Sequence, residues 1–132
     1  MSKAEEELAL QLKAYKIPFE REIRFAYEAI GSPKKGIRNE LKEAGLKDWR
    51  FDFVIRDIDL AIEVEGITSY GKNKNGTMRL GRHQTAKGME QDLLKYSEAM
   101  KLGWKVYRCS PSMIKNGKAI DAIRFFYMCR EV

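Results

Sequence analysis

Residues 49–66, Trp-Arg-Phe-Asp-Phe-Val-Ile-Arg-Asp-Ile-Asp-Leu-Ala-Ile-Glu-Val-Glu-Gly, constrain this chain more than any other stretch. Trp49, Phe51, Phe53 and Ile55 alternate with Arg50, Asp52, Val54 and Arg56, and Leu60, Ile62 and Val64 alternate with Ala61, Glu63 and Glu65. A period of two belongs to a β-strand, whose successive side chains leave opposite faces. Two adjacent strands are therefore expected, joined by a tight turn around Arg56-Asp57-Ile58-Asp59. One face enters a core, and the other gathers Asp52, Glu63 and Glu65.

Alternating charge on a strand ordinarily marks the solvated face of a half-buried sheet. Three features point past that reading, one of them the long, acid-free basic loop that follows at once. Glu63-Val64-Glu65 carries acids with no interleaved lysine to neutralise them across strands. The chain as a whole is basic, with a formal net charge of +6, so an acidic focus is out of character. Three carboxylates held on rigid strands repel one another unless a cation sits between them, and oxygen ligands of this kind suit Mg²⁺ or Mn²⁺.

A chain of 132 residues is expected to form one domain with its own core. The basic balance favours a polyanionic partner, nucleic acid ahead of an acidic membrane. No apolar run approaches the ~20 residues of a spanning helix, and the amino end, Ser-Lys-Ala-Glu-Glu-Glu, is no signal peptide. Cys109, Cys129 and the lone His83 are too few and too scattered for structural zinc. Buried, reduced thiols in a cytoplasmic protein are expected instead.

The remaining elements follow from periodicity and punctuation. Residues 3–16 form a helix with Ala4, Leu8, Leu12 and Tyr15 on its apolar stripe and Ser2 with Glu5 as a capping box. Residues 20–27 read as a strand, and 37–44 as a short helix closed by Gly45. Residues 66–87 form a long polar loop containing Lys72, Lys74, Arg79, Arg82, His83 and Lys87, with no acid. Residues 88–102 form a helix whose apolar stripe is Met89, Leu93, Tyr96 and Met100. A strand at 104–109, a turn at Ser110-Pro111 and a closing helix at 119–129 complete the chain. Trp49 and Trp104 are expected in the core. This order predicts an α/β fold, a central sheet with helices on both faces.

With these elements in place, the chain resembles the PD-(D/E)xK nuclease superfamily. The resemblance rests on the order helix, three strands, helix, strand, and on Asp52, ten residues, then Glu63-x-Glu65 against the signature D-x(n)-E-x-K. It is closer to small phage and bacterial domains of the very-short-patch-repair-like type. The matching segments are Glu63-Val64-Glu65-Gly66, Gly81-Arg82-His83, Asp92-Leu93-Leu94-Lys95 and Gly103-Trp104-Lys105-Val106-Tyr107-Arg108. Residues 28–48 look like an insertion relative to that family.

The resemblance implies a restriction-endonuclease-like αβββαβ core and a Mg²⁺- or Mn²⁺-dependent DNA endonuclease using metal-activated water. The setting would be phage or bacterial DNA processing, repair or restriction. Asp52 and Glu63 would hold the ion with the Val64 carbonyl, and Glu65 would bind a second ion or orient the water. The family's strand lysine is Glu65 here, so a cation from elsewhere must replace it, Lys95 first and Lys87 behind it. Glu5 would be the helical acid beside the site, unless its capping role exhausts it. His83 would contact the phosphate or donate a proton. Lys72, Lys74, Arg79, Arg82 and Lys87 would grip the DNA backbone. A homodimer, or a partner nuclease or helicase subunit, would supply a second cut. The lost strand lysine motivates a rival reading, a catalytically weak or inactive module that binds DNA structures within a larger assembly. A third, a structural interaction protein, predicts neither metal binding nor salt-sensitive DNA affinity.

Overall fold

The computed structural model describes residues 2–31, 37–66 and 86–131. Its elements are α1 (Lys3–Ala14), β1 (Glu20–Ile23), α2 (Phe25–Ile30), α3 (Ile37–Glu43), β2 (Phe51–Ile55), β3 (Leu60–Val64), α4 (Ala86–Lys101), β4 (Lys105–Cys109), α5 (Pro111–Lys115) and α6 (Lys118–Met128). The strands form one sheet in the order β1-β2-β3-β4. β1/β2 and β2/β3 are antiparallel, and β3/β4 is parallel, with α4 as the crossover. The mixed sheet flanked by helices, and the αβββαβ order within it, match the sequence expectation.

As expected for a central sheet with helices on both faces, both faces are covered. Phe53, Ile55, Leu60 and Ile62 pack with Leu8 and Leu12 of α1, Ile114 of α5 and Ile123 of α6. Phe51, Val54 and Ala61 pack on the other side with Phe25 and Ala26 of α2, Leu41 of α3 and Ala99 of α4, flanked by Trp49 and Trp104. Regular alternation would put Phe51 and Phe53 on one face, yet they join different clusters. The break in alternation brackets Asp52.

Other corrections follow from this second core layer. The strand expected to run to Tyr27 ends at Ile23, and Phe25–Ile30 is helical. Phe25 stacks on Phe51 at 4.2 Å between ring centroids, so burial of that ring overrides its strand propensity. Of the expected α4 stripe, Met89, Leu93 and Met100 are exposed and only Tyr96 turns inward, half-buried, while Gly88, Asp92 and Ala99 are buried. The sheet beneath α4 offers Ala61 and the Glu63 and Glu65 carboxylates, so small and charged residues fit there better than large apolar ones. The turn at Ser110-Pro111 opens a helix, α5, which Ser110 caps by accepting the Met113 amide at 3.3 Å. Cys109 is buried as expected, but Cys129 is exposed; both are free. Among the described residues no helix is long and apolar enough to cross a membrane.

Candidate active site

Ser2 begins the site by capping α1. Its hydroxyl accepts the Glu5 amide at 3.2 Å and donates to the Glu5 carboxylate at 3.1 Å. That contact anchors Glu5 at the first turn without removing it from the sheet. One carboxylate oxygen each from Glu5, Glu22 and Asp52 lie within 4.8 Å of one another. Glu22 is the residue that sequence reasoning missed. The pairs Arg21–Phe53 and Ile23–Phe51 put it opposite Asp52, on an edge strand, with φ +55°. A left-handed non-glycine residue costs about 1–3 kcal/mol and persists only where its surroundings impose it. An acid in a short strand was the only signal, because antiparallel register is not legible locally.

Asp52 is tied to β3 from both sides. Its carboxylate accepts the Val64 amide at 2.8 Å, and its own amide donates to Glu63 at 3.3 Å. Burial raises the Asp52 carboxyl above its ordinary range, and the negative charge of Glu5 adds to this, while the Val64 amide opposes it. Glu63 is buried more deeply still, and burial pushes its carboxyl up to about 7, with Asp52 reinforcing and Lys95 opposing the shift. Lys95 forms an ion pair with Glu63 and lies 5.4 Å from the Phe51 ring centroid. A cavity of about 440 Å³ opens against Lys95, bounded also by Lys47, Arg50 and Asp92.

Glu65 stands apart from this cluster. Arg108 holds it through two bonds, Nε to Oε1 at 2.8 Å and Nη2 to Oε2 at 2.6 Å. The Tyr96 hydroxyl donates to Oε1 at 2.9 Å. Two of the three sequence-predicted carboxylates thus stay together, Asp52 flanked by Glu5 and Glu22 and its neighbour Glu63 by Lys95, while Glu65 is drawn away to Arg108. Lys87 is exposed on the first turn of α4. His83, Lys72, Lys74, Arg79 and Arg82 lie outside the described residues.

The donor set of Glu5, Glu22 and Asp52 fits a hard divalent cation, since all three offer carboxylate oxygen. Ionised carboxylates 4.8 Å apart repel by roughly 3 kcal/mol per pair at an effective dielectric constant of 20. A cation among them converts that repulsion into attraction.

The overall fold recurs among solved structures. One is the catalytic domain of the homing endonuclease I-Bth0305I, which aligns over 98% of this chain and 98% of its own at 18% identity and a TM-score of 0.56. The likeness is one of fold. No protein-family model and no curated protein sequence matches the chain.

Proposed function

We propose that this chain is a divalent-metal-dependent DNA endonuclease, a single nuclease-like domain that hydrolyses phosphodiester bonds in phage or bacterial DNA processing, repair or restriction. The observation that carries the reading is the gathering of Glu5, Glu22 and Asp52 within 4.8 Å, next to the Glu63–Lys95 pair, on a fold shared with an endonuclease catalytic domain. Asp52 and Glu63 would hold Mg²⁺ or Mn²⁺ with the Val64 carbonyl, as the sequence resemblance implies, and Glu5 and Glu22 complete the oxygen donors. A bound ion supplies Lewis-acid polarisation of the phosphoryl oxygen and lowers the pKa of its water.

The chain's own residues supply the rest. The Val64 amide orients the Asp52 carboxylate, and Ser2 orients Glu5. Burial pushes the Glu63 carboxyl up to about 7 in the metal-free chain, so a proton and the ion would compete for it. Lys95, paired with Glu63, takes the place of the missing strand lysine, neutralising charge that develops on the phosphate. His83 and the loop cations Lys72, Lys74, Arg79, Arg82 and Lys87 bind the DNA backbone in this reading. A second copy, or a partner subunit, would cut the other strand.

Glu65 favours the rival reading. It occupies the lysine position and is held by Arg108 and Tyr96, as suits a DNA-binding module with weak or no turnover. A panel of labelled duplex, flap, mismatch and junction DNAs with Mg²⁺, Mn²⁺ or EDTA separates the two. Metal-dependent cleavage lost in Asp52→Asn is expected. Tight DNA binding without cleavage in any metal would establish the module, and cleavage retained in Asp52→Asn would dismiss the site.

A further inference from the structure

Arg108 closes the segment Gly103-Trp104-Lys105-Val106-Tyr107-Arg108, and strand register brings it level with the carboxylates. The pairing of β1 with β2 puts Glu22 opposite Asp52. The pair Phe53–Ile62 puts Asp52 opposite Glu63, and Glu63 is the register partner of Arg108 on β4. These four residues form one row across the sheet, and the row changes from acid to base at the edge strand. Neighbouring strands lie ~4.8 Å apart, so the Arg108 backbone stands one strand from Glu63 and two strands, ~10 Å, from Asp52.

The guanidinium of Arg108 is held from two directions. Its Nε–H and one Nη2–H donate side-on to the Glu65 carboxylate, at 2.8 and 2.6 Å. Its face lies over the Tyr96 ring, with Cζ 4.9 Å from the centroid. The Tyr96 hydroxyl donates to the same carboxylate at 2.9 Å, so ring, carboxylate and guanidinium brace one another. A guanidinium has five N–H donors. The end-on fork, made by Nη1 and the second Nη2–H, has no partner among the described residues, and the side chain is 48% exposed.

As a prop for the fold this arrangement adds little, because an exposed ion pair is a weak stabiliser. The two strands are joined here by backbone in any case, the Glu65 amide donating to the Cys109 carbonyl at 2.7 Å. As a ligand for phosphate it is well formed. Arginine binds phosphate oxygens through a planar fork, and a fork already stacked and bonded has little freedom left to lose. The cleft also calls for such a group. Glu5, Glu22, Asp52 and Glu63, all ionised, outnumber Lys95 and one divalent ion together by one charge. Lys95 is 14% exposed and already paired with Glu63, so it is poorly placed to meet an incoming strand. Glu65 cancels Arg108 in the sum, but it stands on the side-on edge. An anion at the end-on fork therefore lies nearer the guanidinium than the carboxylate.

We propose that Arg108 binds a phosphate of the DNA backbone through its end-on fork, at the β4 end of the carboxylate row, and that Glu65 is a positioning residue that sets the plane of the fork. Glu65 then serves as the holder of an arginine from the next strand rather than as a metal ligand. The inference rests on the endonuclease reading for the source of the phosphate.

The test measures binding of a short fluorescein-labelled duplex to the full chain by anisotropy over a salt series, with Ca²⁺ in place of Mg²⁺. The key variant is Glu65→Gln/Arg108→Gln. It removes one charge of each sign, so the general attraction of the protein for DNA is kept. Affinity is expected to fall at least ~10-fold, as loss of a charged hydrogen-bonding fork requires, and the slope of log K against log salt to shrink by about 0.9. Arg108→Lys retains the ion pair with Glu65 and guards against misfolding of the double variant; lacking the fork, it should also bind several-fold more weakly. Glu65→Asp keeps the charge but withdraws the carboxylate by one methylene. It should weaken affinity with an unchanged salt slope and an unchanged melting temperature, a split that a merely structural pair does not produce. Wild-type affinity and slope in the double variant, or wild-type affinity in Arg108→Lys, would overturn the phosphate contact while leaving the endonuclease reading standing. Wild-type affinity in Glu65→Asp would overturn the positioning role. A wild type that binds no duplex defeats the endonuclease reading, and this inference with it.

Discussion

Replacing Lys95 by methionine should destabilise the metal-free protein by an amount that grows with pH, and Glu63 sets the sign. The two side chains are 14% and 9% exposed, so their pairing is little screened. In the unfolded chain the Glu63 carboxyl titrates at its ordinary value of 4.5, and in the folded chain at about 7. Between these values the folded state holds more protons than the unfolded state, so stability falls as pH rises through that window, by about 3 kcal/mol in all. Above pH 7 the wild-type loss ends, because folded Glu63 also ionises and pairs with Lys95. Methionine has a similar length but removes the charge, and with it the cation–π contact with Phe51. The variant's Glu63 must then keep its proton, and the loss continues at about 1.4 kcal/mol per pH unit. The two proteins should differ little through this route at pH 6 and by about 3 kcal/mol at pH 9. Urea unfolding in EDTA at pH 6, 7.5 and 9, followed by the fluorescence of Trp49 and Trp104, measures the difference. A gap that does not change with pH, or a variant more stable than the wild type at pH 9, would refute the reasoning.

Asp52→Asn keeps an acceptor for the Val64 amide while removing one charge from the carboxylate trio, so its melting temperature in EDTA should hold or rise. Saturating Mg²⁺ or Mn²⁺ should raise the wild-type melting temperature, as about 2.7 kcal/mol of stabilisation at 100 times the dissociation constant requires. Asp52→Asn should show little of that shift by scanning fluorimetry, and an equal shift in both proteins would place the ion elsewhere. Lys16→Gly relieves about 1–2 kcal/mol of left-handed strain and adds about 0.5–1 kcal/mol of unfolded-state entropy. Urea unfolding should show a small net gain, and a clear loss of stability would contradict the strain argument.

Much of the site was legible before any fold was known, and the reason is that its signals are local. The strands around Asp52 and Glu63 announce themselves by a period of two, and the capping pair Ser2 and Glu5 by a spacing of three. Lys95, the first candidate to replace the missing strand lysine, pairs with Glu63. The rotation of α4 was not legible. Met89, Leu93 and Met100 face outward, because the surface α4 covers carries carboxylates, and only the facing element determines which side of a helix is the buried one.

What the sequence by itself determined is therefore the identity of the strands, the acids they carry and the order of elements around them. Tertiary structure decided how those acids are grouped. Antiparallel register brought Glu22 opposite Asp52, and packing of α1 against the sheet added Glu5. Glu65, two residues from Glu63 and indistinguishable from it in sequence, was drawn to Arg108 and Tyr96 instead. The physical reason is range. Periodicity and capping act over one or two turns of chain, whereas the charge of a buried carboxylate is answered by whichever cation or carboxylate the fold brings within a few ångströms.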